Sequence, residues 1–143
     1  MRQFVSVILV KSDGSVLSQH RDNIPEISGP DTWCACGGAL EPTDSSLKYG
    51  AARELKEETG YEVKESDLKL LTEDTYQNEK GVQIHRNIFW AEYDGNQPIG
   101  CSEGQEIRFI SPSEFHTLNF YQGHENFLRL ATQVNIRSSR ERR

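Results

Sequence analysis

The chain has 143 residues, 35% of them hydrophobic and 27% charged, the proportions of a one-domain globular protein able to bury a core. A net charge of −6 argues against a nucleic-acid duplex as the main partner, because such binders carry a basic face. No apolar run reaches the length of a membrane span and the N-terminus lacks a signal-peptide layout, so the expectation is a cytoplasmic protein with no membrane partner.

Phe4 to Val10 is a β-branched apolar run and reads as a buried strand. Lys11-Ser-Asp-Gly14 is a turn, and Ser15 to Gln19 pairs back on the first strand. Asn23 to Asp31 contains two prolines and a glycine and reads as loop. Thr32 to Cys36 is a short strand running into Gly37-Gly38. Cys34, Cys36 and Cys101 are odd in number, which suits a reducing compartment better than a disulfide framework. Cys34 and Cys36 lack the partners that would complete a zinc site, and His20, His85, His116 and His124 are scattered without ligand spacing.

A helix follows, capped at its start by Asp44, Ser45 or Ser46 and stopped by Gly60. Leu47, Ala51 and Leu55 give it an apolar stripe. Gly50 in its interior costs about 1 kcal/mol relative to alanine, which points to a close backbone approach or to simple tolerance. Leu68 to Tyr76 and Val82 to Tyr93 read as two long strands joined around Lys80-Gly81, and Glu106 to Ile110 as another. Ser111-Pro-Ser-Glu114 has the layout of a capping box opening a short helix. Gly123 to Val134 is helical in period, through Phe127, Leu128 and Leu130. One domain over residues 1–136 and a basic, disordered tail over 137–143 are expected.

The chemistry concentrates in Arg53-Glu-Leu-Lys-Glu-Glu-Thr-Gly60. Offsets of three and four bring Glu54, Glu57 and Glu58 onto neighbouring positions of one helix. Like charges so placed repel by roughly 0.2–0.5 kcal/mol per pair, and a hard divalent cation among the oxygens turns that repulsion into attraction. A solvated acidic face is the bland alternative, and the flanking arginine and glycines weigh against it. Such an ion acidifies a bound water.

The segment from Gly37 to Tyr61, GGALEPTDSSLKYGAARELKEETGY, resembles the Nudix box, the 23-residue signature of MutT-like hydrolases. The order of elements around it is similar to that family over nearly the whole domain. The resemblance implies a Nudix-type α/β/α sandwich, with a mixed central β-sheet flanked by helices. It implies hydrolysis of a nucleoside diphosphate linked to another moiety, of the NTP or nucleotide-sugar type, with Mg²⁺ or Mn²⁺ as cofactor. Glu54, Glu57 and Glu58 then correspond to metal-binding acids, the Gly37 carbonyl to a further ligand, and Arg53 to the arginine that braces the glutamates. The loop opened by the glycine pair, Gly38 included, approaches the phosphates. Glu103 corresponds to an acid that some members supply as ligand or base, with Glu106 as a nearby alternative; Glu58 and Glu103 both stay open as the base. Arg21 is a candidate for substrate phosphate or base. Trp33, Tyr76, Phe89 and Trp90 are weighed as stacking residues against a core role, and Arg86 and Asn87 are equally ambiguous.

The box departs from its pattern. Counting back from Arg53 puts Ser45 where the signature has glutamate and Ala39 where it has its first glycine. Counting forward from Gly38 puts Asp44 in the acidic slot, in a loop one residue longer. That acid usually supports the arginine, so weakened bracing of Arg53 is expected. Cys36 stands where proline often precedes the glycines, and Tyr61 replaces an aliphatic residue. The alternative function is a Nudix-fold sensor that binds a nucleotide metabolite without turnover, for which the Asp44–Ser45 region is the only motive. An isoprenoid diphosphate isomerase, a third option, has no cysteine-plus-glutamate arrangement to support it. A homodimer is compatible with the sequence, although no clear exposed seam marks it.

Overall fold

A computed structural model describes residues 1–134, so the expected basic tail lies outside the described residues. Seven strands and two α-helices follow in the order β1 (Arg2–Val10), β2 (Val16–His20), β3 (Trp33–Cys34), β4 (Cys36–Ala39), α1 (Leu47–Thr59), β5 (Lys69–Gln77), β6 (Gln83–Glu92), β7 (Glu106–Ile110) and α2 (His124–Thr132). The sheet is mixed: β1 runs parallel to β6 and every other pairing is antiparallel. Among the described residues no helix is long and apolar enough to cross a membrane.

The continuous apolar run of β1 follows from its central place in this sheet. Val5, Val7 and Leu9 face one layer and pack with Ala51 and Leu55 of α1; Ile8 and Val10 face the other and pack with Phe127, Leu128 and Ala131 of α2. Helices therefore cover both faces, each with its own core. On one side β1 pairs along its whole length with β6. On its other side it meets β2 at Val10–Val16 and then β4 from Val7–Cys36 to Phe4–Ala39. Strand β2 pairs along its whole length with β7, and at its far end with β3 instead of β1. This divergence of β2 from β4 lets two loops and the end of α1 converge.

The strand expected over Thr32–Cys36 is two strands interrupted at Ala35. The Ala35 N–H donates to Nδ1 of His124 at 3.0 Å, so a side chain replaces the ladder partner. Cys34 and Cys36 consequently lie in different strands, both buried, and the glycine pair lies within β4 rather than beyond a strand end. Helix α1 starts where expected: the Ser46 Oγ accepts the Tyr49 N–H at 3.0 Å, and Gly60 ends the helix in the left-handed conformation. The Ser111–Glu114 segment opens a 3-10 helix, Pro112–Thr117, whose Glu114 pairs with Arg108 at 3.1 Å.

Trp33, Phe89 and Trp90 belong to the core. Arg86 is buried, held by both oxygens of Asp74 at 2.8 and 2.7 Å and by the Gln122 carbonyl at 2.6 Å. Asn87 donates to the Gln3 Oε1 and the Phe4 carbonyl at 2.9 and 3.0 Å. Both residues are occupied in holding elements together.

Leu55→Ala removes a fully buried side chain between α1 and the sheet. Denaturant unfolding is expected to show a loss of about 2–5 kcal/mol. His124 is buried, and burial, followed by the charges of Arg86 and Arg21, pushes its imidazole down from 6.5 to about 3. The unfolded chain takes up a proton below 6.5 while the fold does not, so this group's contribution is complete above 6.5 and is lost as pH falls toward 3. Unfolding curves in this window are expected to fall less steeply with acid in His124→Asn, whose carbonyl keeps the Ala35 bond, by on the order of a few kcal/mol.

Candidate metal and phosphate site

The glycine pair lets β4 lie close to β1 on one side and to α1 on the other. A Cβ on Gly37 would overlap the Val5 carbonyl and the Ser6 hydroxyl, and one on Gly38 would sit 2.7–2.8 Å from the Glu54 carboxylate oxygens. Helix side chains therefore lie directly on the backbone of β4. The Gly37 N–H donates to Glu58 Oε1 at 3.0 Å.

Glu58 is only 2% exposed, and its other oxygen, Oε2, is buried without a hydrogen-bond partner. Burial pushes its carboxyl up to about 9; the charges of Glu54 and Glu103 add to this, while the Gly37 N–H and Arg21 oppose it. Burial also raises Glu54, against the lowering effect of Arg53, with the Glu57 and Glu103 charges adding to the rise. Each acid thus feels its neighbours, which is the electrostatic signature of one site.

Glu103 reaches it through a loop docked on the end of α1. Ser102 donates its N–H to the Glu58 carbonyl at 3.0 Å and its hydroxyl to the Glu57 carbonyl at 2.6 Å, and the Gly100 N–H donates to the Thr59 carbonyl at 2.8 Å. These bonds satisfy helix-terminal carbonyls that lack partners inside the helix. Gln19 holds the loop from the other side, donating to the Glu103 carbonyl at 3.0 Å. Glu106 instead lies in β7, with Arg108 at 3.7 Å.

Arg53 occupies the outer side of the acids. Its Nε and Nη2 each meet one oxygen of Asp44 at 2.8 Å, and its Nη1 meets Glu54 at 3.1 Å and Glu57 at 3.1 and 3.2 Å. The Asp44 side chain has no exposed surface, and the Arg53 hydrogen bonds hold its carboxyl below the usual range. The expectation of weakened bracing is corrected: Asp44, with a shorter side chain than glutamate, forms a two-point ion pair, and Ser45 is exposed. Gly50 is a close approach, because a Cβ there would lie 2.6 Å from Leu40 Cδ1 and 2.8 Å from Asp44 Oδ2.

Glu57 stands apart from the other two helix acids. Its side chain is 58% exposed and turned to Arg53. Among the described residues no three His, Cys, Asp or Glu side chains are gathered as a ready metal cage. The charges of Glu54 and Glu103 act on Glu58, and Glu57 reaches the group through Glu54, with which it shares Arg53 Nη1.

Arg21 donates to the Ser28 carbonyl at 2.8 Å, lies 5.6 Å from the Tyr121 ring centre, and is near enough to Glu58 to lower its carboxyl. With Gln19, Asp22, Ile27, Glu103 and Gly104 it lines a cleft of about 220 Å³. A larger groove of about 520 Å³ runs along the outer side of α1; Arg53 lines it, but Glu54, Glu57, Glu58 and Glu103 do not. Tyr76 hydrogen-bonds Tyr121 at 3.1 Å and carries Arg86 on its face at 3.9 Å. Burial raises the Cys34 thiol to about 11, which leaves it a packing group.

Gln19, Asp22, Ile27 and Ser102 escaped the sequence reading. The alternation of β2 from Leu17 places Gln19 and Arg21 on one side, a signal available for the first of these. No periodicity marks Ser102.

The NUDIX domain family model matches residues 2–131. No curated protein matches the chain. Among solved structures, the NUDIX domain of Shewanella oneidensis NrtR complexed with ADP ribose aligns at 18% identity and a TM-score of 0.75, over 98% of this chain and 86% of that one. A bifunctional NMN adenylyltransferase/ADP ribose pyrophosphatase from Francisella tularensis, complexed with AMP and Mn ion, aligns at 20% identity and a TM-score of 0.69, over 90% of this chain and 40% of that one. A MutT/nudix family protein from Enterococcus faecalis aligns at 19% identity and a TM-score of 0.64, over 76% of this chain and 43% of that one. The chain thus spans less than half the length of the last two proteins, and at these identities the likeness is one of fold. With the family model covering almost every described residue, the chain belongs to the NUDIX domain family.

Proposed function

We propose that this Nudix pyrophosphohydrolase cleaves the phosphoanhydride of a small nucleotide, either a nucleoside triphosphate or a nucleoside diphosphate linked to a sugar or similar group, with Mg²⁺ or Mn²⁺ as cofactor. The observation that carries this reading is Glu58 Oε2, a buried carboxylate oxygen with no partner, flanked by the charges of Glu54 and Glu103. A buried, unpaired carboxylate is costly, and hard oxygen donors so placed fit a hard divalent cation. Glu54, Glu57, Glu58 and the Gly37 carbonyl would hold it, with Glu103 at the side. When bound, such an ion neutralises phosphate charge and acidifies water.

The remaining work belongs to the chain's own groups. Gly38, without a side chain, leaves the Glu54 carboxylate open to the β4 backbone, where phosphates would approach. Arg21, beside the cleft, supplies a cation for a phosphate oxygen. Glu103 is assigned as the base: it stands on a loop rather than the helix and borders the cleft, whereas Glu58 commits one oxygen to the Gly37 N–H. Support for a nucleotide comes from two structural neighbours, one holding ADP ribose and the other AMP with Mn. The sensor reading loses its motive, because the altered Asp44–Ser45 region still braces Arg53.

With Mg²⁺ or Mn²⁺, the purified protein is expected to release phosphate, pyrophosphate or a nucleoside monophosphate from at least one member of a panel of nucleoside triphosphates and nucleotide sugars. Binding without turnover across that panel would favour the sensor. Glu103→Gln is expected to lower kcat by about 10²–10⁴ with little change in KM, as removal of a general base does. Glu58→Gln is expected instead to weaken Mn²⁺ binding, followed by electron paramagnetic resonance.

A further inference from the structure

The connection between β6 and β7 is exposed over most of its length, and exposed loops are usually the mobile part of a fold. Its last stretch is held differently, between two walls. One wall is the end of α1: the Gly100 N–H donates to the Thr59 carbonyl at 2.8 Å, and Ser102 donates its N–H to the Glu58 carbonyl at 3.0 Å and its hydroxyl to the Glu57 carbonyl at 2.6 Å. The other wall is β2: the Gln105 N–H donates to the His20 carbonyl at 2.7 Å, and Gln19 Nε2 donates to the Glu103 carbonyl at 3.0 Å. The same carbonyl accepts the Cys101 thiol at 3.1 Å. Gln19 is itself buried, and the Cys34 thiol, 3.7 Å from its Oε1, fixes which way the amide faces.

Gly104 closes the arrangement. It holds a φ of 85°, in the left-handed region, and a Cβ there would lie 2.6 Å from the His20 carbonyl oxygen, a backbone atom. His20 has no room to yield, because it is paired with Glu106 of β7 and with Trp33 of β3. Position 104 therefore excludes a side chain both by conformation and by space.

We infer that Glu103 is preorganised: Ser102, Gln19 and Gly104 are positioning residues that set it against α1 before substrate arrives, so no loop closure has to deliver it. This rests on the assignment of Glu103 as the base. Its side chain is exposed, so the restraint on it is applied through its backbone. A mere staple for the helix end would need only the Gly100 and Ser102 bonds. The bond from Gln19 to the carbonyl of Glu103 itself, and a glycine enforced at the next residue, single out the acid. The acceptors on α1 are the carbonyls of Glu57 and Glu58, whose side chains are assigned to the cation. The separation between the base and those acids is thereby set through one short run of backbone. Ordering a loop costs conformational entropy, and here that cost is met on folding instead of in each turnover.

The test compares wild type with Ser102→Ala, Ser102→Thr, Gly104→Ala and Glu103→Gln, using Mn²⁺ and the panel nucleotide that the wild type turns over fastest. Ser102→Ala and Gly104→Ala are each expected to lower kcat about 10–100-fold with KM little changed, the scale that a misplacement of about 1 Å produces. Ser102→Thr, which keeps the hydroxyl, is expected to restore most of the loss. Added to Glu103→Gln, Ser102→Ala is expected to lower kcat no further, because it acts through that carboxylate. An equal fall in both backgrounds would overturn the inference, since the serine would then act through the fold or the helix acids. A loss in Glu103→Gln alone, with Ser102→Ala and Gly104→Ala as active as wild type, would overturn the inference and leave the base assignment standing. Wild-type kcat in Glu103→Gln, or a wild type without turnover, would remove both. Independently of activity, hydrogen exchange in the metal-free wild type is expected to show the Ser102 and Gln105 amides strongly protected. Exchange at the rate of an open chain would show a loop that closes late, and would overturn the inference by itself.

Discussion

A carboxylate buried where a helix meets a sheet is the constraint around which the rest of this fold is arranged. Glu58 has one oxygen on a backbone N–H and the other on nothing, in a setting that raises its carboxyl to about 9. Hydrophobic packing has to carry that cost, and the central strand β1 does so by filling two separate cores at once. The same packing dictates the glycine pair: a Cβ at position 37 would collide with β1, and one at position 38 with the Glu54 carboxylate of α1. Site and scaffold are in this sense one contact.

The acids are held in different ways. Glu54 and Glu58 are fixed by burial on the inner side of α1, and Glu103 by a loop whose Ser102 caps the carbonyls of the same helix. Glu57 is itself exposed and is held only by Arg53. A site made wholly of the first kind would concentrate repulsion that the metal-free fold has to bear. Keeping one acid on an arginine reduces that repulsion.

Much of this was legible in the chain. A continuous β-branched apolar run located β1, helical spacing located α1 and α2, and the Arg53–Gly60 run with its preceding glycines pointed to the chemistry, because those features are local. Where the reading failed, the cause was non-local. Residues Thr32–Cys36 look like one strand, but the Ala35 amide bonds to a histidine 89 positions away, and the ladder breaks there. Spacing alone suggested a weakened brace for Arg53, because the loop length conceals that Asp44 folds back over Gly50. Arg86 and Asn87 were ambiguous for the same reason: their partners Asp74 and Gln3 lie on other strands.

The loops around the cleft are tied independently of the acids. His20 stacks on Trp33 at 4.7 Å and meets Asp31 at 2.9 Å, and the Gln105 amide donates to the same Asp31 oxygen at 2.9 Å and to the Arg21 carbonyl at 2.9 Å. Asp31 holds a positive φ of 62° at this junction, a conformation uncommon for a residue other than glycine. Farther along the loop, Gly29 lies flat against Tyr121, where any side chain would overlap the ring. The segment from Arg21 to Thr32 is therefore clamped at its base and middle by residues that touch none of the glutamates. Its exposed residues, Asp22 to Glu26, can vary without disturbing either the buried carboxylate or the Arg53 brace. The acids of α1 and the loop that borders the cleft are thus held in place by separate sets of contacts.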